Sequence, residues 1–352
     1  MQPHVSVIII CWNSREYLPH CLSCLSAQTY QEFEVILIDN GSTDGSTANL
    51  LEDYPDINLR VERFETNQGF AAANNIGARL ARGRWLALLN TDAFPEPDWL
   101  AQLIQAAQNN PEFSFFASRQ LQANDPEFLD GAGDTYHISG LAWRQYFGYP
   151  ADKYGLSSKE VFGACAAAAL YLREAFLQVG GFDEDFFSYY EDVDLGFRLR
   201  LQGYRCLYIP DAVVKHIGSA SIGVQSDFML YYWQRNFIWV FVQNMPSALL
   251  WKALPSHLLA NLVFQLNFIR QGHGKISWEA RIDSLSGLSD ALRKRRRIQN
   301  ESKVSAAELL RIMEQGFFQP YLLKYDNSYF RHFCKSAKVS VQGKDSISSP
   351  KN

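Results

Sequence analysis

The sequence predicts an α/β protein with a mostly parallel sheet flanked by helices, and two patterns in its first 120 residues support this fold class. Short apolar runs typical of buried strands alternate with segments whose apolar residues recur at helical spacing. A polar or turn-rich segment follows each apolar run, at the point where a strand would end. Strands and helices that alternate in this way form right-handed βαβ units, which align the strands in parallel.

The first strand is the apolar run Val5–Ile10, and the short loop Cys11-Trp12-Asn13 follows it. Ser14 is placed to cap the next helix, because apolar residues then recur at helical spacing. These apolar residues are Leu18, Cys21, Leu22 and Leu25. The loop therefore lies at the carboxyl end of the first strand.

Two further strands repeat this arrangement. Phe33–Ile38 ends in the turn-rich loop Asp39–Ser46, and Leu59–Phe64 is followed by Asn67-Gln68-Gly69-Phe70 and an Ala-rich helix. Asp39 is suited to accept a hydrogen bond from the N3–H of a pyrimidine, and Gly69 allows close backbone approach to a ribose or phosphate. Turn chemistry and a helix start explain either feature alone, but their place on one rim favours a ligand.

The fourth strand is the apolar run Trp85–Leu89, which stops at Asn90-Thr91-Asp92. An apolar run of this kind indicates a strand buried on both faces in the middle of a parallel sheet. Ligands of open α/β sheets bind at the carboxyl ends of strands, and oxygen side chains there suit Mg²⁺ or Mn²⁺ bridging a diphosphate. The alternative interpretation is an Asx turn that closes the strand.

Beyond the fourth strand we expect a helix over 99–108, a strand over 113–118, and then an irregular aromatic segment over 121–158. This segment contains Trp143 among several tyrosines, glycines and prolines. A long aromatic insertion is typical of a lid over a site or of a subdomain that plugs the fold.

A second group of polar residues is Glu191-Asp192-Val193-Asp194, at the start of a helix predicted to end before Gly203. Carboxylates in the first turn are favoured by the helix dipole, which is the structural explanation. Their different directions would also let one carboxylate enter a cleft, where an Asp can act as general base on a hydroxyl.

His216 follows a strand predicted over 205–209 and a turn predicted at Pro210-Asp211. A single His at a strand end is commonly a hydrogen-bonded structural residue. If the fold brings both strand ends to one rim, His216 becomes a metal-binding partner for Asp92.

The composition excludes several classes of protein. With 352 residues, of which 47% are apolar and 14% aromatic, the chain has a substantial core and is neither disordered nor fibrous. The net charge of −4 argues against a dedicated nucleic-acid binder. No basic and apolar leader precedes the first strand, so we do not expect secretion.

The C-terminal third predicts an interfacial helix. Residues 247–269 are apolar, but polar residues interrupt them too often for a membrane-spanning helix. One apolar stripe suits a helix lying in a membrane interface, and the basic run 293–297 could contact anionic lipid. Packing of the stripe against the catalytic domain or a dimer partner is the alternative. The stripe consists of Leu250, Leu254, Leu258, Leu262 and Leu266.

Taken together, the motifs over residues 5 to about 220 resemble the inverting glycosyltransferases of family 2, which have the Rossmann-like GT-A fold. His216-Ile217-Gly218-Ser219 and Arg235-Asn236 are most similar to bacterial rhamnosyltransferase-type members that build cell-surface polysaccharide. The other motifs are Val5–Ile10 with Asn13, Asp39–Ser46, Asn67–Phe70 with Asn74 and Gly77, Leu89–Asp92, Gly180–Glu184 and Glu191–Leu195.

The resemblance implies an inverting transfer from a nucleotide-diphosphate sugar, of the UDP or dTDP type, to a hydroxyl. It implies Mg²⁺ or Mn²⁺ held by Asp92 and His216, with Asp192 as the base and Glu191 and Trp143 on the acceptor side. Asn90 departs from the family, which commonly has Asp there; an amide still bonds ribose or water, so we expect activity. The implied donor-binding residues are Cys11, Trp12, Asn13, Asp39, Asn67, Gly69, Asn74 and Asn90.

We therefore expect a catalytic domain over 1–225, with its nucleotide-binding part over about 1–120 and its acceptor part over 121–225. A helical extension over 226–334 and a disordered tail over 335–352 would follow. The expected acceptor is a glycan or a polyprenyl-diphosphate-linked sugar, at the cytoplasmic face of the cell membrane, with a homodimer as a further expectation.

Two other functions fit the sequence less well. A sugar nucleotidyltransferase would need a Gly-rich basic phosphate loop after the first strand, and Cys11–Ser14 is not one. A catalytically silent subunit of a polysaccharide complex is the second alternative, and Asn90 is its support.

Overall fold

A ten-stranded sheet forms the centre of the structure, which is a computed structural model that describes residues 3–218 and 226–316. The strands of the described residues are β1 Val5–Cys11, β2 Phe33–Asn40, β3 Leu59–Phe64, β4 Trp85–Asn90, β5 Ala93–Pro95, β6 Phe115–Gln122, β7 Asp125–Ala132, β8 Asp134–Tyr136, β9 Ala142–Arg144, β10 Lys159–Val161, β11 Ala168–Leu172 and β12 Cys206–His216. The strands β8 and β9 form a separate hairpin.

The helices follow the strands as the sequence predicts, although some begin or end elsewhere. They are α1 Leu18–Ser26, α2 Leu50–Asp53, α3 Phe70–Leu80, α4 Trp99–Asn109, α5 Arg173–Gln178, α6 Glu191–Leu201, α7 Asp227–Asn244, α8 Ser247–Arg270, α9 Gly274–Ser286, α10 Leu288–Asn300 and α11 Ala306–Ile312. A short 3-10 turn spans Glu184–Phe186.

The sheet order is β10-β12-β6-β11-β4-β1-β2-β3, and the strands β4, β1, β2 and β3 are parallel, as predicted. The strand β11 runs antiparallel between β4 and β6, so the sheet is mixed beyond its parallel half. In the parallel half Ile10 pairs with Asn90 and Cys11 pairs with Asp39. The polar ends of these strands therefore share one rim.

Apolar side chains cover both faces of the sheet. Along β4, Trp85, Ala87 and Leu89 belong to one hydrophobic core, and Leu86 and Leu88 belong to the core on the opposite face. This confirms a strand buried on both faces. Helices α1 and α4 contribute to the first core and α3 to the second.

Three local expectations need correction. The first helix begins at Leu18 rather than after Ser14, whose carbonyl accepts hydrogen bonds from the amides of Tyr17 and Leu18 in a preceding turn. The helix after the Asp39 loop, α2, has only four residues. The irregular segment over 121–158 contains the strands β7, β8 and β9.

The turn predicted at Pro210-Asp211 is wrong, because β12 continues through it with a bulge. Ile209 pairs with Ser118 and Val213 pairs with Arg119, so three residues of β12 have no partner in β6. A bulge absorbs extra residues while the strand keeps its direction. The strand β12 therefore carries His216 to the same rim as Asp92.

The C-terminal helices pack onto the rest of the fold through a third core. Tyr136, Phe162 and Phe197 meet Phe237 and Phe241 of α7 in this core. No helix of the described residues has the length and apolarity needed to cross a bilayer. The predicted tail over 335–352 and Ser219 lie outside the described residues.

Candidate active site

Asp92 and His216 meet at the rim, where β4 and β12 end. Ala93 pairs with His216 across β5 and β12, which brings the two polar side chains together. The Nε2 atom of His216 lies 3.4 Å from Oδ1 of Asp92, and both side chains are buried. The two residues that the sequence predicts as metal ligands are thus in contact.

Asp130 on β7 holds the other nitrogen of His216, and the sequence did not point to it. Oδ2 of Asp130 lies 2.7 Å from Nδ1 of His216 and also pairs with the guanidinium of Arg144. Burial opposes the charge on Asp130, but Arg144 and His216 outweigh it and hold the pKa of Asp130 below its usual value. Burial likewise opposes a charged imidazole, yet Asp92 and Asp130 raise the pKa of His216 to about 9.

The arrangement fits a divalent cation with two protein ligands. Because the pKa of His216 is about 9, its ring is protonated at neutral pH without metal, and a cation at Nε2 would replace that proton. Asp130 accepts from Nδ1–H and would keep Nε2 directed at the cation, as in many metal sites. Apart from its 3.4 Å contact with Asp92, the buried Nε2 has no hydrogen-bond partner among the described residues. The described residues contain no group of three or more side chains able to hold a metal, so diphosphate oxygens and water would complete the coordination.

Asp192 lies in the first turn of α6 and is partly exposed. Its Oδ2 accepts a hydrogen bond of 3.2 Å from the amide of Ala166, and its Oδ1 accepts one of 2.8 Å from Val193. Burial raises the pKa of Asp192, while these two hydrogen bonds act against it. The neighbouring Glu191 is buried, and burial raises the pKa of its carboxyl well above the usual value.

A further carboxyl group of the site belongs to Asp134. Burial and the charge of Asp192 raise the pKa of Asp134, on β8, to about 8. The positive charge of Arg144 acts on Asp130, Asp134 and Asp192 alike. One guanidinium therefore lies among carboxylates from both the metal side and the Asp192 side of the site.

The loop before Asp192 has a strained backbone. Phe187, Tyr189 and Tyr190 have φ angles of 63°, 65° and 68°, a region that bulky residues rarely adopt. Asn236 of α7 supports the loop, because its Nδ2 donates to the carbonyls of Phe186, Ser188 and Tyr189 at 3.0, 2.9 and 2.7 Å. Arg235 donates to the carbonyls of Asp185 and Phe186.

At the parallel half of the rim, the predicted donor residues Asp39 and Asn13 bond to the segment that follows β2. Oδ1 of Asp39 accepts a hydrogen bond of 2.9 Å from the amide of Ser42, and Oδ2 accepts one from the hydroxyl of Thr47. Oδ1 of Asn13 accepts a 2.8 Å bond from the amide of Thr43, so the loops after β1 and β2 form one unit.

The remaining predicted donor residues vary in accessibility. Gly69 directly precedes α3 and has a φ of 85°. A Cβ at this position would lie 2.6 Å from the ring of Phe187, so packing explains why the residue is a glycine. Asn74 is buried and donates to the carbonyl of Phe70 within α3. Cys11 is buried; Trp12, Asn67, Asn90 and Trp143 are partly exposed.

Comparison with known proteins places this fold in a family. Residues 6–180 match the family model described as Glycosyl transferase family 2. N-acetylglucosaminyl-diphospho-decaprenol L-rhamnosyltransferase of Mycobacterium tuberculosis is 30% identical over 244 residues, which span 62% of this chain and 77% of that protein. The chain belongs to glycosyltransferase family 2.

Other relatives of this glycosyltransferase agree with the assignment. An O-antigen biosynthesis protein of Myxococcus xanthus is 32% identical over 227 residues, which span 62% of this chain but only 18% of that protein. The mannosyltransferase of Pyrobaculum calidifontis, solved with GDP-Man and Mn²⁺, has a TM-score of 0.53 at 17% identity and covers 89% of this chain and 86% of its own. GalNAc-T7, solved with UDP, GalNAc and Mn²⁺, has a TM-score of 0.55 at 19% identity, with 68% of this chain and 47% of that chain covered. These structures support the GT-A fold.

Asp130, Asp134 and Arg144 of the glycosyltransferase are the residues that the sequence analysis missed. All three lie in the segment that lacked a regular pattern, on β7, β8 and β9. The run Asp130-Gly131-Ala132-Gly133-Asp134 was an available signal, because two carboxyl groups separated by small residues at strand spacing can face one cleft.

Proposed function

We propose that this glycosyltransferase moves a sugar, with rhamnose as the leading candidate, from a nucleotide-diphosphate sugar to a hydroxyl group with inversion. The acceptor is a glycan or a lipid-linked sugar in cell-surface polysaccharide synthesis. The observation that carries the proposal is the contact between Asp92 and His216 at the ends of β4 and β12. The rhamnosyltransferase and O-antigen relatives support the substrate class.

On the donor side, Asp92 and His216 would hold Mg²⁺ or Mn²⁺, which would supply Lewis-acid stabilisation of the leaving diphosphate. Asp39 accepts a hydrogen bond from the pyrimidine of UDP or dTDP. The loops after β1 and β2, with Trp12 and Asn13, and the helix start at Asn67–Gly69 line the nucleotide side. Asn90 bonds ribose or water.

On the acceptor side, Asp192 removes the proton from the attacking hydroxyl. Burial raises the pKa of Asp192 against the opposing effects of Arg144 and two backbone hydrogen bonds, which suits a general base. The hydroxyl oxygen attacks the anomeric carbon from the face opposite the diphosphate, which inverts its configuration. Glu191 and Trp143 help to position the acceptor.

The partners follow from the same comparison. A decaprenol-linked substrate in the name of one relative supports a polyprenyl-diphosphate-linked acceptor here. Such an acceptor would place the enzyme on the cytoplasmic face of the cell membrane as a peripheral protein, and a homodimer remains part of the proposal. A silent subunit is disfavoured by the complete set of Asp92, His216 and Asp192.

Calorimetric titration with UDP and with dTDP, each with and without Mn²⁺, tests the donor site. We expect one nucleotide to bind, and to bind more tightly with Mn²⁺, because its diphosphate completes the metal coordination. A folded protein that binds neither nucleotide in either condition would contradict the donor assignment.

The variant Asp192→Asn tests the base. We expect transfer from a nucleotide sugar to fall by at least about 100-fold, since a general base contributes on this scale, while nucleotide affinity stays within a few-fold. Glu174→Gln removes an exposed carboxylate from α5 and is the matched control. Loss of nucleotide binding in Asp192→Asn would instead assign Asp192 a structural role.

A further inference from the structure

Helix α8 has the reverse of the polarity expected for a helix on a water-soluble surface. Its inward face carries the polar residues His257, Asn261 and Gln265, all of them buried. Large apolar residues point outward, with 53% to 72% of their surface exposed for the four that are most accessible. These four are Trp251, Leu258, Leu262 and Leu266. Only the first two leucines of the predicted stripe, Leu250 and Leu254, pack against the core.

The polar side chains of α8 face inward because α9 and α7 bind them. The hydroxyl of Ser277 lies 2.6 Å from Oε1 of Gln265 and 2.6 Å from Oε1 of Gln234. Arg281 donates to Oδ1 of Asn261 at 3.0 Å. These bonds settle which side of α8 faces the protein, and the leucines on the other side have no apolar neighbours in the described residues that would bury them.

Helix α9 extends the exposed apolar surface. Its contacts with α8 are antiparallel, since Ser277 meets Gln265 and Arg281 meets Asn261. On both helices, an exposed apolar residue comes directly after a residue that contacts the other helix. Its side chain therefore points about 100° further around the helix axis than the contact residue. Because the two helices run in opposite directions, these rotations bring both stripes to the same side of the pair. On α9 the stripe is Trp278, Ile282 and Leu285, each more than half exposed.

We call the exposed apolar surface of the antiparallel helix pair α8 and α9 the hairpin face, and it includes Ile269, which is also exposed. Its members are Trp251, Leu258, Leu262, Leu266, Ile269, Trp278, Ile282 and Leu285. An apolar surface of this extent on a helix pair marks an interaction site rather than ordinary exposure.

The charge of the residues around the hairpin face indicates what the face binds. Residues 247–300 contain nine Lys and Arg against three Asp and Glu, whereas the whole chain has a net charge of −4. Of the nine, Arg281, Lys294 and Arg295 bond to protein groups, and Lys275 lies 3.9 Å from Glu279. Lys252 and Arg270 are exposed on α8, which has no acidic residue, and Lys275 is exposed on α9. Apolar residues with basic residues beside them match an anionic bilayer, whose headgroups meet the cations while its acyl chains meet the leucines. Trp251 and Trp278 suit the headgroup level.

We propose that the hairpin face lies in the interface of an anionic lipid bilayer and attaches the enzyme to it as a monotopic protein. The orientation rests on the proposed function, because a lipid-linked acceptor must reach Asp192 from the bilayer. The face is carried by a helix in direct contact with the site: Nδ1 of His257 on α8 donates to the carbonyl of Ser139 at 2.8 Å, between β8 and β9. The strands β8 and β9 carry Asp134 and Trp143 of the site.

Flotation of the full chain with vesicles tests the proposal. The vesicles contain phosphatidylglycerol and phosphatidylethanolamine, and phosphatidylcholine vesicles give the uncharged reference. The test variant is Leu262→Gln with Leu266→Gln and Ile282→Gln. We expect its partition coefficient on the anionic vesicles to fall at least about tenfold, because three side chains lose apolar burial.

The matched control replaces three exposed leucines elsewhere, Leu51→Gln with Leu156→Gln and Leu177→Gln, and we expect it to float like the wild type. Equal flotation of the test variant would overturn the proposal. A further contrary outcome is a wild type that does not float and sediments as a dimer, while the test variant sediments as a monomer. That result would show that the hairpin face binds a second copy of the chain.

Nucleotide titration on the same samples separates this proposal from the proposed function. Protein that floats without binding UDP or dTDP contradicts the function and leaves the membrane surface intact. Protein that binds nucleotide but does not float contradicts only the membrane surface.

Discussion

At the scale of single residues, His216 is held from two sides by groups with different tasks. Asp92 lies at its Nε2 and Asp130 at its Nδ1, and Arg144 in turn fixes Asp130. A carboxylate that orients a metal-binding imidazole is commonly worth a factor of about 10 to 100 in metal affinity. Asp130 is therefore a positioning residue for the predicted metal site.

We expect Asp130→Asn to weaken Mn²⁺-dependent nucleotide binding by about 10- to 100-fold, because the amide no longer fixes the orientation of His216. Nucleotide binding without metal should change little. Calorimetry with and without Mn²⁺ measures both quantities, and Glu127→Gln, an exposed carboxylate on the same strand β7, is the control. An equal loss in the presence and absence of metal would instead indicate general damage to the fold.

Asp92 and His216 were predictable from the sequence because each follows an apolar strand at its carboxyl end. Asp130 and Arg144 were not, because the sequences of β7 and β9 lack the alternation that marks a strand. The turn-rich loop after β2 was predictable from the sequence, but the hydrogen bonds that Asp39 accepts from Ser42 and Thr47 were not.

At the scale of elements, α7 supports the loop that leads to Asp192. Asn236 is fully buried and donates to three carbonyls of this loop, so its removal takes one hydrogen-bond donor from each of them. The loop contains three aromatic residues in the left-handed region, a conformation that persists only where the surroundings enforce it.

We expect Asn236→Ala to lower the free energy of unfolding by about 1 to 3 kcal/mol and to reduce kcat, with nucleotide affinity unchanged. Asn261→Ala removes another buried asparagine, on α8, and should lower stability without reducing kcat. Urea unfolding and steady-state kinetics on both variants decide the matter. If both variants lose kcat alike, the loop has no special dependence on α7.

His257 makes the docking of α8 sensitive to pH. Burial lowers its pKa to about 4, the charge of Arg281 acts in the same direction, and the hydrogen bond to Ser139 acts against both. The rings of Phe237 and Phe241 pack against the imidazole. Because the unfolded chain binds a proton at higher pH than the folded one, His257 contributes stability above its unfolded pKa and loses it as pH falls.

We expect His257 to account for a loss of about 2 kcal/mol in the free energy of unfolding between pH 7 and pH 5. Comparing urea unfolding of the wild type with His257→Gln at several pH values isolates this contribution, since glutamine does not titrate. The variant should be less stable at pH 7 but show a flatter dependence on pH. Parallel curves for the two proteins would contradict the assignment.

The sequence predicted most of these elements, because apolar periodicity reports burial directly. The helices α3, α4 and α6 and the strands β1 to β4 lie close to their predicted positions. The bulge in β12 escaped prediction because Pro210-Asp211 has the chemistry of a turn, and only pairing with β6 keeps the strand continuous. The sequence left open whether Leu262 and Leu266 point outward, because their direction depends on which face of α8 bonds to polar residues of the neighbouring helices.

At the scale of the whole molecule, the segments on either side of Asp192 and the C-terminal helices share a hydrophobic core. Phe186, Tyr190 and Phe197 pack in the same cluster as Phe237 and Phe241. Lys294 of α10 lies 2.6 Å from Oδ2 of Asp185, in the segment before the strained loop. Such a shared core couples the stability of the two parts.

We therefore expect one cooperative unfolding transition for the whole chain. Tryptophan fluorescence and far-ultraviolet circular dichroism should give the same urea midpoint, as two-state unfolding requires. Two separate midpoints would show that residues 226–316 unfold independently of the sheet.

The bulge in β12 makes the contact of His216 with Asp92 depend on whether a residue count is odd or even. Ile209 and Val214 lie in the same hydrophobic core although five residues apart, whereas a regular strand would place them on opposite faces. The three unpaired residues of the bulge cause this inversion, and His216 shares the parity of Val214. Insertion or deletion of one residue at the bulge would turn Lys215 toward Asp92 and His216 away from it. A change of two residues would preserve the facing of His216, so natural length variation in this strand should occur in even steps.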